Sequence, residues 1–318
     1  MKNIFENYLG RKPNFELLRI IAMLLIIFCH CSGNLFFDYI STAPFSVNTV
    51  FQMILIPGGQ FGNTLFVLIS VFFLVSSTFT WKKWFKIYLQ AFFYSILFML
   101  IFCIFKISYF DSNSIINLSD KSSLLDSIHY VTISLEEILT SFGILVFLGT
   151  NSWFAGAYLI FYLFVPVLNQ IVTKVEKMKL RYLVICLLII CGVLNIIPFI
   201  QKPMTSWISS FFTLYFLAAY YRLYPEDFEN IRHPLLFGII GYLLLLIIAI
   251  VPTCILRYGN FQIPFITYYF SRHQDCFYDL INGMGKITMI IPAFLIMLGF
   301  DRIKIRNTNC IAWGESTV

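Results

Sequence analysis

NFELLRIIAMLLIIFCHCSG, residues 14–33, decides the class of this protein. Arg19 stands near its start, His30 near its end, and the residues between them are apolar. An α-helix turns ~100° per residue, so eleven positions make about three turns and both side chains leave the same face, roughly 16 Å apart along the axis. A cation near one end of an apolar helix and an imidazole deeper along it form a costly arrangement. Ionisable groups of that kind usually face a cavity or a partner and mark a functional path.

The rest of the chain supports a membrane solvent. Of 318 residues, 59% are hydrophobic and only 12% charged, with 36 Phe and 18 Tyr. Soluble domains carry about 25% charged residues. The fold class expected is all-α, a polytopic bundle of about eight or nine membrane helices forming one domain over 1–318. The net charge of +6 would suggest nucleic acid in a soluble protein. Here it fits Lys and Arg in cytoplasmic loops, and no nucleic-acid partner is expected. The eight cysteines are scattered and form no CxxC pair. Cys29, His30 and Cys31 are consecutive, point ~100° apart on a helix and cannot converge on one metal ion. No metal is expected, and no cleavable signal peptide is visible.

In chain order, Lys2, Arg11 and Lys12 hold the N-terminus in the cytoplasm and the first span covers about 15–32. Residues 33–58 read as an outer loop. Gly58, Gly59 and Gly62 lead into a second span at about 61–79, where glycine permits close helix approach or a local break. Lys82, Lys83 and Lys86 form a cytoplasmic turn before a third span at about 87–107. Residues 133–149 are apolar but open on Glu136 and Glu137, and the basic cluster after 152–172 fixes the parity. A re-entrant or interfacial helix at 133–149 satisfies both; a full crossing that inverts the downstream topology is the alternative. Further spans are expected at about 182–200, 206–221, 235–256 and 279–300, the last with Asp279 and Lys286 on one face.

Five stretches carry a resemblance. Arg19 and His30 in the first span, LFVLISVFFLV (65–75), WKKWFKIYLQAFFYSI (81–96) and SWFAGAYLIFYLFVPVLN (152–169) together resemble the membrane-bound acyltransferase-3 family in order, and YFLAAYYRLYP (215–225) resembles its capsule-type branch. The resemblance implies transfer of an acyl group, usually acetyl, from cytoplasmic acyl-CoA to a hydroxyl of a cell-surface or exported glycan such as a capsule polysaccharide. It implies a multi-pass protein of the cell membrane with acetyl-CoA, a glycan acceptor and the lipid bilayer as partners. Lys83 and Lys86 occupy the positions of the family's basic pair, commonly arginine, and Val71 stands where a glycine usually follows the serine. The family's final span would open where this chain ends at 315–318, so either the chain is truncated or it does without that helix.

Such a reaction needs a hydroxyl made nucleophilic beside a thioester carbonyl. Neutral imidazole is a natural general base near working pH, and the resemblance gives His30 that role. A histidine packed between helices and bonded to a neighbour is the alternative. Arg19 is assigned to the CoA phosphates, which guanidinium groups hold well. It competes with a snorkelling anchor and with a partner for Glu16, three residues back. Lys83 and Lys86 are donor-binding candidates or plain topology determinants. Ser70 and Trp153 are candidates for lining the acceptor cavity, or for helix packing and an interfacial anchor. A glycan or lipid-linked-sugar transporter, or an inactive truncated member, would share the spans and buried charges; only dependence on acyl-CoA separates them.

Overall fold

The computed structural model describes residues 12–36, 47–75, 77–105, 153–196, 207–258, 281 and 283–303. Among these there are eight α-helices and no strand. They are α1 (Pro13–Phe36), α2 (Val47–Leu74), α3 (Trp81–Phe105), α4 (Trp153–Lys174), α5 (Lys177–Leu187), α6 (Trp207–Leu223), α7 (Pro234–Tyr258) and α8 (Ile287–Arg302). Within them α1, α2, α4, α7 and α5 with its extension to Ile196 are long and apolar enough to cross a membrane. The protein is an all-α polytopic membrane protein.

The surface agrees with that solvent. On α7, Leu236, Phe237, Leu243, Leu244, Ile247 and Ile248 are all more than half exposed. A soluble protein rarely exposes so continuous an apolar face, whereas lipid tails cover it at no cost.

The chain falls into two compact units, Thr78–Leu168 and the remainder. In the remainder, α1 and α2 pack antiparallel, with Phe15 stacked on Phe72 at one end of the seam and Cys29 against Gly59 further along. Phe15, Leu18 and Ala22 are fully buried along α1. Glycine sets the approach: a Cβ on Gly62 would lie 2.6 Å from the Ala22 carbonyl oxygen, and one on Gly59 would overlap Cys29. Close approach of backbones drives helix association where lipid removes the hydrophobic contribution. The α7–α8 pair uses the same device, with Gly238 against Pro292 and Ile296, and Gly299 against Leu235.

Asn169 on α4 locks the end of α2. Its Nδ2 donates to the carbonyls of Leu74 (3.2 Å) and Ser77 (3.1 Å), and its Oδ1 accepts from the Tyr215 hydroxyl of α6 (2.6 Å). The link after α6 is a 3₁₀ turn, Pro225–Phe228. Lys177 clamps it through Glu226 (2.8 Å) and Asp227 (2.6 Å), and Arg302 donates to the carbonyls of Ile231 and Phe228. The hydrogen bonds from Lys177 hold both carboxyls below the usual carboxylate range, helped at Asp227 by the Tyr220 hydroxyl. In the Thr78–Leu168 unit, Trp84 of α3 donates from its indole nitrogen to the Leu159 carbonyl of α4 (3.1 Å).

Several boundaries differ from the sequence reading. Helix α2 begins at Val47, inside the stretch expected to be an outer loop, and ends at Leu74. Pro57 lies within it; proline breaks a ladder bond, but in membrane helices neighbouring groups re-satisfy the freed backbone. The basic residues Lys177, Lys179 and Arg181 lie in the first turns of α5, leaving only two residues between α4 and α5. Helix α5 widens into a π-helical turn, Leu188–Val193, and tightens into a 3₁₀ turn, Leu194–Ile196. Helix α8 begins at Ile287, so Lys286 precedes it in extended backbone (φ −80°, ψ 140°) instead of lying within the span. The stretch 133–149, position 279 and the end of the chain beyond 303 lie outside the described residues.

Candidate active site

Helix α1 runs unbroken from Pro13 to Phe36, so Arg19 and His30 share one helical face about three turns apart, as the spacing requires. Their immediate surroundings differ. The Arg19 guanidinium donates from Nη1 to Glu16 Oε1 at 2.6 Å and lies 5.4 Å from the Phe73 ring centroid of α2. The pairing with Glu16 is therefore formed, and about a third of the arginine side chain remains exposed. A guanidinium held in this way keeps free donor edges, since it carries five N–H groups in a rigid fork.

His30 is exposed. Its neighbour Cys29 turns the other way, into the seam with Gly59. The ~100° step between adjacent residues produces that split: the thiol seals the helix pair while the imidazole stays reachable. A ring in that position can accept a proton from a molecule approaching the side of α1.

A feature the sequence reading missed surrounds the Arg19 end. Arg222 on α6 is only 2% exposed, donates from Nη1 to the Phe72 carbonyl and stands 5.1 Å from the Phe72 ring centroid. Lys12 pairs with Asp301 of α8 and lies 5.6 Å and 5.9 Å from the Phe15 and Phe72 rings. The Tyr221 hydroxyl donates to the other oxygen of Asp301 (2.6 Å). Phe15, Phe72 and Phe73 thus bind three cations, Lys12, Arg19 and Arg222, through ring faces and backbone. Buried guanidinium over an aromatic ring is attracted by the ring quadrupole. Position 222 gave no signal because it sits beside a polar link, where arginine ordinarily marks topology.

The remaining candidates are placed as follows. Ser70 lies on α2 and donates its hydroxyl to the Phe66 carbonyl one turn back (2.8 Å), which leaves its oxygen able to accept only. Lys83 and Lys86 are exposed in the first two turns of α3. Thr80 caps that helix, taking the Lys83 N–H on its carbonyl (3.1 Å) and its hydroxyl (3.4 Å). Lys86 also lines an open groove of about 510 Å³ with Lys82, Phe85, Leu89, Phe93 and Tyr94. Trp153 is the first residue of α4. These last three candidates belong to the Thr78–Leu168 unit, whereas Arg19, His30 and Ser70 belong to the other.

Residues 12–300 match the acyltransferase-3 family model, described as an acyltransferase domain. No curated protein and no solved structure matches the chain.

Proposed function

The chain belongs to the acyltransferase-3 family and is a membrane acyltransferase, and we propose that it moves an acetyl group from acetyl-CoA to a hydroxyl of a cell-surface or exported glycan. The observation that carries this reading is α1 itself, with Arg19 and His30 on one face of an uninterrupted helix.

In this account the cytoplasmic end of α1 receives the donor. Arg19 takes the CoA phosphates, with Lys12 and Arg222, held on the same phenylalanine cluster, adding positive potential. Lys83 and Lys86, on the Thr78–Leu168 unit, are separate candidates for holding donor phosphates. The roughly 16 Å from Arg19 to His30 is spanned by the extended pantetheine arm, which brings the thioester to the imidazole. His30 removes the proton from the acceptor hydroxyl as its oxygen attacks the thioester carbonyl. The tetrahedral intermediate collapses, the C–S bond breaks and CoA leaves as the thiol, taking back the proton that His30 holds. General-base assistance of this kind is worth about 10²–10⁴-fold in rate.

Membrane vesicles carrying the protein, supplied with radiolabelled acetyl-CoA, test the reading. Labelled glycan and free CoA should appear together in equal amounts. In Arg19→Ala the KM for acetyl-CoA should rise about tenfold or more, the loss of one charge-assisted contact. Glycan movement across the vesicle without consumption of acetyl-CoA would favour the transporter and refute the proposal.

A further inference from the structure

Helix α3 has a strongly positive end and an apolar flank. Among the described residues of the Thr78–Leu168 unit there are three lysines, Lys82, Lys83 and Lys86, and no Asp or Glu. All three are exposed, in the first two turns of α3. The start of a helix carries the positive end of its dipole and ordinarily favours acids, so these lysines add to that potential. From Ile87 to Phe105 the helix carries no charged residue. Ammonium groups are costly in hydrocarbon. This end of α3 therefore marks the level of a membrane surface, and the uncharged length runs into the bilayer.

An open groove starts at that end. Lys82 and Lys86 stand at its head and Phe85, Leu89 and Phe93 form its wall, with a volume of about 510 Å³, a size common among ligand pockets. Steps of three and four residues place them on one side of the helix. Trp84 leaves the opposite side and donates its indole N–H to the Leu159 carbonyl of α4 (3.1 Å), so the side that packs on α4 is not the groove's. Phe85, Leu89 and Phe93 are each more than half exposed. From Phe85 to Phe93 is about 12 Å at 1.5 Å per residue, within the ~15 Å of hydrocarbon in one leaflet. Gln90 also lines the groove, one turn and about 6 Å beyond Lys86.

Paired cations at the surface, an amide one turn deeper and an apolar wall one leaflet long match a single ligand class. We propose that this groove binds an anionic phospholipid, with its phosphate between Lys82 and Lys86, its glycerol ester at the Gln90 amide and an acyl chain along Phe85, Leu89 and Phe93. Lipid tails are as apolar as these side chains, so the wall gives a chain room without choosing among lipids. Selection comes from the two ammonium groups, each worth about fivefold toward an anionic headgroup. A free phosphate would meet the charge and leave the wall unused. The inference stands apart from the acyltransfer reading and gives Lys86 to a lipid instead of the donor.

The test places the full chain in phosphatidylcholine nanodiscs that hold a small fraction of phosphatidylglycerol with a photoactivatable diazirine on its acyl chain. Phosphatidylcholine with the same labelled chain is the reference, and adducts are mapped by peptide mass spectrometry. At equal mole fraction phosphatidylglycerol should mark residues 85–93 about 25-fold more than the reference, and Lys82→Gln and Lys86→Gln should each lower its yield about fivefold. Both side chains are exposed, so neither change disturbs packing. Lys174→Gln, the same loss of charge at the end of α4, should leave the yield unchanged. Equal marking by the two lipids, marking that survives both lysine changes, or an equal loss in Lys174→Gln would each overturn the proposal. So would no marking of α3 at all, which would give the groove to protein. Glycerol 3-phosphate and CoA, each added in excess, should leave the adducts in place; loss of adducts to either would show a site for soluble phosphates and refute the lipid.

Discussion

Alanine in place of glycine at helix contacts separates close backbone approach from mere absence of a side chain. At Gly62 the new methyl would sit 2.6 Å from the Ala22 carbonyl oxygen, 3.0 Å from Ile26 Cγ1 and 3.1 Å from Leu25 Cβ. The first of these is backbone and cannot rotate aside, so α1 and α2 must part by several tenths of an ångström. Overpacking of this kind costs about 1–3 kcal/mol, set against a gain of up to about 1 kcal/mol from helix propensity. At Gly241 the only near neighbour is Pro292 Cγ at 3.9 Å, so alanine there keeps the propensity gain without the clash. The two variants should differ by about 1–3 kcal/mol in stability, which at about 2–4 °C per kcal/mol for a chain approaching this size is several degrees in Tm. Gly62→Ala should also lose activity, because Ala22 and Leu25 lie on the helix that carries Arg19 and His30 and misplacement by 1 Å can cost ~10²-fold. Thermal unfolding of the purified protein in one lipid or detergent, with acetyl-CoA turnover on the same samples, measures both. Equal Tm and equal turnover for the two variants would refute the close-approach argument.

Asn169→Leu should destabilise by about 2–4 kcal/mol, because it strands the Tyr215 hydroxyl and two carbonyls, while Tyr215→Phe should cost only about 1 kcal/mol; thermal unfolding ranks them, and the reverse order would contradict the hub. The Lys177 clamp should depend on pH. The carboxyls of Glu226 and Asp227 lie below their ordinary values in the folded protein, so the clamp contributes fully above the ordinary carboxylate range and fades as pH falls below about 4. The Tm difference between wild type and Asp227→Asn should shrink over that fall and also with added salt; a difference that grows on acidification would show the sign to be wrong. Phe73→Leu removes the ring beside Arg19 and should raise the KM for acetyl-CoA by less than Arg19→Ala does, since the cation–π contact is worth about 0.5–2 kcal/mol.

How far the sequence could be read follows from what each residue depends on. Helix α1 was legible because its apolar run and its two polar markers are local, and the observed helix extends the expected 15–32 by only a few residues at each end. The first half of α2 was not. Pro57, Gly58 and Gly59 have the composition of a loop, and only their contact with α1 makes them helical. The start of α8 was placed too early for the converse reason: Gly283 at φ 158° and the extended Lys286 break a stretch whose hydropathy continues. Asn169 and Arg222 act through carbonyls on α2 and just past its end, 92 to 150 residues away. No local pattern encodes such distances, although the resemblance did pass through Asn169.

The most direct measurement of the central claim compares initial rates of labelled acetyl transfer from acetyl-CoA by wild type and His30→Ala, at equal protein level in the same membranes. The account predicts a fall of at least about 100-fold, within the range for loss of a general base, with binding of acetyl-CoA retained. Equal rates would contradict it and would remove His30 from the chemistry.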